Sequence, residues 1–296
     1  MSKIYDKFKQ LLDLVVFQHS IFALPFLFAS MMSASKLENG TIFFDLKPLI
    51  LAVICAVSAR NFAMAVNRLL DEDIDKLNPR TQNRPNISGK IGRLSVIIFI
   101  LLNALIFVAT TYFINALAFY LSLLVLFFLA LYSTFKRFSF LAHIVLGLCL
   151  GLSAIAGCII ISGRVELFSV YLCFGVCFWT AGFDLLYSLQ DMEFDKKHGL
   201  HSIPARFGAR ATLIISSLCH FIAVLFWLLF AYEMKLNLIG FVGIFICALI
   251  LCFEQIIVRR NFSQINRAFF TLNGYLSVVF LIFVLLGLSD FAQFNA

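Results

Sequence analysis

The chain has 296 residues, of which 62% are hydrophobic and only 13% charged, with a mean hydropathy of +0.97. That usage lies far outside globular domains and excludes a disordered chain, a secreted disulfide scaffold and a dinucleotide-binding enzyme with a water-exposed surface. With 36 Phe against 5 Pro it points to long apolar helices, hence an all-α, polytopic membrane protein.

About 20 apolar residues cross the hydrocarbon core. Turn and charge signals divide the chain into nine such runs, over 14–34, 46–70, 94–112, 115–134, 140–162, 167–190, 210–231, 235–258 and 268–289. The expectation is one transmembrane domain over 1–296, a bundle of nine helices with cap loops on the cytoplasmic side and chemistry concentrated in windows 60–89 and 184–208. Over residues 1–13, Ile4, Phe8, Leu11 and Leu12 fall on one side and Lys3, Lys7 and Lys9 mostly elsewhere, the pattern of a helix lying at the interface. No cleavable leader is expected there. The 8 Cys all lie in apolar runs without a CxxC pair and read as small buried residues.

The loops set the topology. Eighteen of the 23 Lys and Arg fall on the side that carries the N-terminus, four (Lys36, Lys47, Arg164, Lys235) on the other, and Arg60 inside the second run. The positive-inside rule then puts the N-terminus in the cytoplasm and the C-terminus outside. The net charge of +7 becomes a topological signal and requires no nucleic-acid partner.

Seven of the 16 acidic residues crowd into two windows: Asp71, Glu72, Asp73 and Asp75 after the second run, and Asp191, Glu193 and Asp195 after the sixth. Asn67, Asp71 and Asp75 recur every four residues, and Asp184, Asp191 and Asp195 at seven and four, so each set shares one helical stripe. Both runs descend toward the cytoplasm, which places the acids at helix C-termini, where the dipole disfavours carboxylates. A cation must compensate. Magnesium, held by one or two carboxylates and by phosphate oxygens, fits two facing acid clusters. Arg60 lies on the Asn67 stripe within the bilayer and Asp184 at the corresponding depth of the sixth run; intramembrane ionisable groups are functional candidates, and a buried Arg60–Asp184 pair is the structural alternative. The basic loops PRTQNRPNISG, with Arg80 and Arg84, and GLHSIPARFG suit phosphate. Lys196 and His201 lie beside the second window, and His19 reads as a hydrogen-bonded core histidine.

Taken together, these strings resemble the UbiA superfamily of intramembrane aromatic prenyltransferases over nearly the whole chain. The NxxxDxxxD signature is matched by Asn67, Asp71 and Asp75, and DxxxD after a Tyr by Tyr187, Asp191 and Asp195. Arg60 and Asp184 match an Arg and an Asp seven residues before the two motifs. RTxxRPxxSG is matched by Arg80, Thr81, Arg84, Pro85, Ser88 and Gly89, and YxxxKR by Tyr132, Lys136 and Arg137. Arg68 departs from the pattern, since many members carry a second acid there.

The resemblance implies transfer of a polyprenyl group from polyprenyl diphosphate to an aromatic acceptor in a lateral cavity of the bundle. Two Mg2+ would be held by Asp71, Asp75, Asp191 and Asp195, with Asn67 assisting. Arg80, Arg84, Lys136 and Arg137 would meet the outer diphosphate oxygens, and Lys196 is a further candidate. Tyr187 and Phe183 would shield an allylic cation. Asp184 would orient or deprotonate the acceptor and Arg60 would bind its carboxylate; Asp184, Asp191 and Asn67 are the catalytic candidates. The implied acceptor is 4-hydroxybenzoate, as in the ubiquinone branch. HSIFALPF and YSLQDMEFDKKHGLHSIPARFG also resemble members found beside the futalosine route to menaquinone, with another aromatic acid or a nucleoside-linked acceptor. The expected location is the bacterial cytoplasmic (inner) membrane, with no obligatory protein partner. From a different class, a transporter or flippase of an anionic lipid would also carry intramembrane Arg and Asp, but its site would sit near the midplane on broken helices.

Overall fold

The computed structural model describes residues 10–11, 13–15 and 23–289, and among them every regular element is helical. The principal helices are α1 (Leu24–Asn39), α2 (Leu46–Leu70), α3 (Arg93–Ile114), α4 (Ala116–Leu131), α5 (Ala142–Ser162), α6 (Leu167–Ser188), α7 (Ile203–Glu233), α8 (Leu238–Arg260) and α9 (Asn273–Leu288). Eight membrane-length apolar helices occur among the described residues, α2 to α9, the last counted with the π-helical turn Ala268–Leu272 before it. The ninth, α1, has 16 residues and follows the undescribed stretch 16–22. The interfacial helix expected over 1–13 lies largely outside the described residues, as does His19.

Two boundaries differ from the sequence expectation for backbone reasons. α1 starts at Leu24 because Pro25, with φ preset and no N–H to satisfy, belongs in a first turn. It ends where Gly40 turns left-handed at φ 70° and its N–H bonds the Lys36 carbonyl at 3.1 Å. α7 begins at Ile203 rather than 210, yet Gly208 at φ 79° interrupts it, so the membrane rod proper starts beyond that break.

α6 is the central rod: 72% of its apolar window is buried, against 17% for that of α4, whose Tyr120, Leu123 and Phe127 face outward. It packs on α5 and α7, while α2 pairs with α3, α1 with α5, and α8 with α9. Lipid is as apolar as leucine, so such contacts depend on close fit more than on expulsion of water. The fit is made by small residues. Gly147 and Gly151 of α5 lie against the carbonyls of Cys177 and Cys173, where a Cβ would collide with backbone. Both cysteines are buried packing groups, as expected, although Cys252 is exposed. Phe26, Trp179, Trp227 and Phe280 join α1, α6, α7 and α9, with ring centroids 5.0 Å apart for Phe26–Trp179 and 5.2 Å for Trp227–Phe280.

Candidate functional site

Both acid windows begin at a break in the helix. α2 stops at Leu70, Asp71 takes φ −92° and ψ 7°, and a new helix runs Glu72–Leu77. α6 stops at Ser188, a single 3-10 turn follows, Asp191 takes φ −99° and ψ 1°, and another six-residue helix runs Met192–Lys197. The expectation of one continuous stripe at a helix C-terminus is corrected here. Glu72, Asp73 and Asp75, and likewise Glu193 and Asp195, occupy first turns of new helices, where free N–H groups favour carboxylates.

The windows meet through the loop after the first. Asn78 Nδ2 donates to Asp191 Oδ1 at 3.1 Å, and Arg80 grips the same carboxylate with two nitrogens, Nε at 2.9 Å from Oδ1 and an Nη on Oδ2. Arg80 also donates to the Tyr187 hydroxyl at 3.0 Å and lies over that ring, 5.3 Å from its centroid. Thr81 bonds the Asp75 carbonyl at 2.9 Å and Asn86 the Arg68 carbonyl at 3.1 Å, which folds the loop under the end of α2. The turn Tyr132–Arg137 approaches from the other side. Lys136 Nζ lies 2.5 Å from Asp71 Oδ2, and Arg137 pairs with Asp73 at 2.7 Å and caps the Leu70 carbonyl at 2.6 Å. Its Lys136 carbonyl accepts the N–H of His201 at 2.8 Å, tying the second window's loop to the first.

Four of the five cations expected to hold phosphate therefore each face one acid: Lys136 on Asp71, Arg137 on Asp73, Arg84 on Asp75 and Arg80 on Asp191. Burial pushes the Asp71 carboxyl up from its ordinary value, partly offset by Lys136, whereas the Arg137 hydrogen bond draws that of exposed Asp73 down. Asn67 donates to Asp71 Oδ2 at 2.8 Å and accepts from Arg68 at 3.2 Å, so the departure at position 68 orients the asparagine. Arg68 also holds the Leu14 carbonyl.

Among the described residues no three acidic, histidine or cysteine side chains converge as a metal site in this arrangement. The donor set is nonetheless all oxygen, and Asp71 Oδ1 is buried without a hydrogen-bond partner, an acceptor suited to a hard cation. The residues fit magnesium by chemistry and by this orphaned atom.

Three expected site residues stand outside this ion-pair lattice. Lys196 is exposed beside a hollow lined by His201 and Arg206. Arg60 donates to the Val15 carbonyl at 3.0 Å. The Arg60–Asp184 pair gives way to another: Asp184 Oδ2 lies 2.7 Å from Nδ1 of His143. Neither His143 nor Asn78 stood out in the sequence. His143 sits in an apolar run without charged neighbours, and Asn78 is one of several asparagines in a polar loop. The spacing of His143 from Gly147 and Gly151, every fourth residue on the stripe that meets α6, was the available signal.

The chain matches the profile of the UbiA prenyltransferase family over residues 23–287. It is 26% identical over 244 residues, 82% of its length and 89% of the other, to a 4-hydroxybenzoate octaprenyltransferase of Vesicomyosocius okutanii subsp. Calyptogena okutanii (strain HA). A UbiA homologue from Aeropyrum pernix K1 is 30% identical and superposes with a TM-score of 0.81, covering 90% of this chain and 97% of that one. A UbiA homologue from Archaeoglobus fulgidus, solved bound to DMAPP and Mg2+, shares the fold at a TM-score of 0.70 and 21% identity, over 95% of this chain and 99% of that one. With the family profile spanning most of its length and the paired acid windows at one end of a bundle of membrane helices, this multi-pass membrane protein belongs to the UbiA prenyltransferase family.

Proposed function

We propose that the protein transfers a polyprenyl group from polyprenyl diphosphate to an aromatic acceptor, 4-hydroxybenzoate, with Mg2+, from the cytoplasmic face of the bacterial inner membrane. The observation that carries the reading is the one-to-one matching of four acids with four cations across the two windows and the turn between α4 and α5. Three of those acids, Asp71, Asp75 and Asp191, would hold the metal together with Asp195 and Asn67, and Arg80, Arg84, Lys136 and Arg137 would turn to the phosphate oxygens. Bound metal neutralises the diphosphate and makes it a better leaving group.

The chain's own residues do the rest. Tyr187 packs 4.4 Å from Phe269, which lies 5.1 Å from Phe183, forming an aromatic wall beside Asp191. That wall excludes water from the allylic cation left by the departing diphosphate and presents π faces to it. Asp184, half-buried on α6, meets the acceptor, and Arg60 takes the acceptor's carboxylate. The relative named for octaprenyl transfer to 4-hydroxybenzoate supports this choice of acceptor.

The test uses the purified protein in nanodiscs with Mg2+, a long-chain prenyl diphosphate and 4-hydroxybenzoate. Prenylated product with release of diphosphate, lost on chelation, is expected. Product only with a different aromatic acid or a nucleoside-linked acceptor would move the assignment to the futalosine-type reading. Movement of the lipid across the membrane with its phosphate bond intact would replace catalysis by transport.

A further inference from the structure

His143 belongs to none of the sequence signatures, yet it is the partner of the carboxylate assigned to the acceptor. Its Nδ1 lies 2.7 Å from Asp184 Oδ2. The His143 side chain is 7% exposed and that of Asp184 21%, so the imidazole lies behind the carboxylate, and the carboxylate keeps an open side. Nε2 of the histidine is buried with no hydrogen-bond partner. An N–H there would be buried and unsatisfied, whereas one on Nδ1 meets a carboxylate; the partners therefore place the ring hydrogen on Nδ1.

The helices are built to bring this pair together. Gly147 faces Cys177 and Gly151 faces Cys173, which fixes the antiparallel register of α5 on α6 at almost no separation. One turn beyond Gly147, the same stripe carries His143 to the level of Ala181 and Asp184, which continue the Cys177 face of α6.

We propose that His143 is a positioning residue for the acceptor: by holding Oδ2 of Asp184 it aims Oδ1 into the bundle interior, where it accepts a hydrogen bond from the hydroxyl of a phenolic acceptor. The inference rests on the prenyl-transfer reading and adds to it the acceptor group that is recognised and the residue that prepares its recognition. A carboxylate with one oxygen fixed leaves one oxygen to accept from the ring hydroxyl. Rings bearing a hydroxyl are selected over rings without one, because a ring without it leaves Oδ1 unpaired on closing the site.

The experiment is steady-state kinetics on the full-length protein in nanodiscs, varying acceptor at saturating prenyl diphosphate and the reverse. His143→Leu, which keeps bulk and removes the donor, is expected to raise the acceptor KM by about tenfold or more and to leave the prenyl diphosphate KM unchanged. His143→Asn, whose amide nitrogen lies near the position of Nδ1, restores most of the loss. In an Asp184→Asn background His143→Leu adds nothing, because the two act as a unit. If His143→Leu does not accumulate in the membrane, His143→Met, which fills the same space with a flexible apolar chain, replaces it with the same readings. Equal effects on the two substrates, an asparagine no better than leucine, or a full additive loss in the Asp184→Asn background would each overturn the proposal while the wild type remains active. A wild type that prenylates no phenolic acceptor overturns the parent reading, and this one with it.

Discussion

Arg80 does two jobs with one guanidinium. It binds Asp191 through two nitrogens and spans the Tyr187 ring, so the planar fork and the cation–π contact are used together. Lysine offers a point charge and no fork. Arg80→Lys is accordingly expected to lower kcat/KM for the prenyl diphosphate by roughly tenfold, close to the effect of Arg80→Gln, and steady-state rates at fixed acceptor measure it. In the proposed site Asp71→Ala and Asp191→Ala remove metal ligands rather than packing groups. Turnover is expected to fall roughly a hundredfold to a thousandfold, while the yield of folded protein by gel filtration stays near wild type. Lys136, whose side chain is 30% exposed, can hydrate once Asp71 is gone. Retained turnover in either variant would refute the shared metal site. At this scale the sequence is informative where charge is anomalous: four acids beside one membrane span and three beside another stand out at once. It is silent where polarity is ordinary. Asn78 links the two windows through Asp191, but nothing distinguishes it in the string from Asn83 or Asn86.

At the level of helices, the hydropathy runs recover the rods and their order because about 20 apolar residues admit few other structures in lipid. Their ends are less visible. A period of 3.6 continues through Asp71 and Asp191, so the pattern reads as one stripe; the actual breaks come from Arg137 capping the Leu70 carbonyl and from loops pulling the acids toward each other, contacts from distant sequence. The α5–α6 contact, by contrast, is written in Gly147 and Gly151. Gly147→Ala would drive a Cβ into the Cys177 carbonyl, and backbone cannot yield as a side-chain tip does. The expected cost is about 1–3 kcal/mol of stability, with loss of acceptor affinity as His143 moves from Asp184. Gly92→Ala is the matched control: φ there is −73° and no atom lies within 4 Å of the added carbon. Thermal unfolding in detergent should separate the two variants; equal midpoints would mean that the helices reseat around the methyl group.

The whole molecule has one end knit by ion pairs that span α2, α6 and the turn between α4 and α5, and an opposite end where Arg164 joins Glu38 and Glu166. On the Lys and Arg asymmetry we propose that the knit end faces the cytoplasm. Reporter fusions after Gly199 and after Lys235 test it: the first should report a cytoplasmic and the second an external location, and the reverse pattern would invert the active site's access. The ion-pair lattice also has a thermodynamic consequence. Four acid–base contacts hold the cap together without substrate, at modest net gain, because several partners are partly hydrated. In the proposed site, Mg2+ with a non-hydrolysable prenyl diphosphate would exchange the ion pairs of Asp71, Asp75 and Asp191 for metal–carboxylate and phosphate–cation contacts and would bind the folded state alone. At a hundred times its dissociation constant such a ligand stabilises by about 2.7 kcal/mol, so the unfolding midpoint should rise with ligand concentration. Diphosphate without metal meets the cations while the acids stay unneutralised, and metal without diphosphate the converse. Either alone should therefore shift the midpoint by less than the two together, and additive shifts would show that acids and cations serve separate ligands.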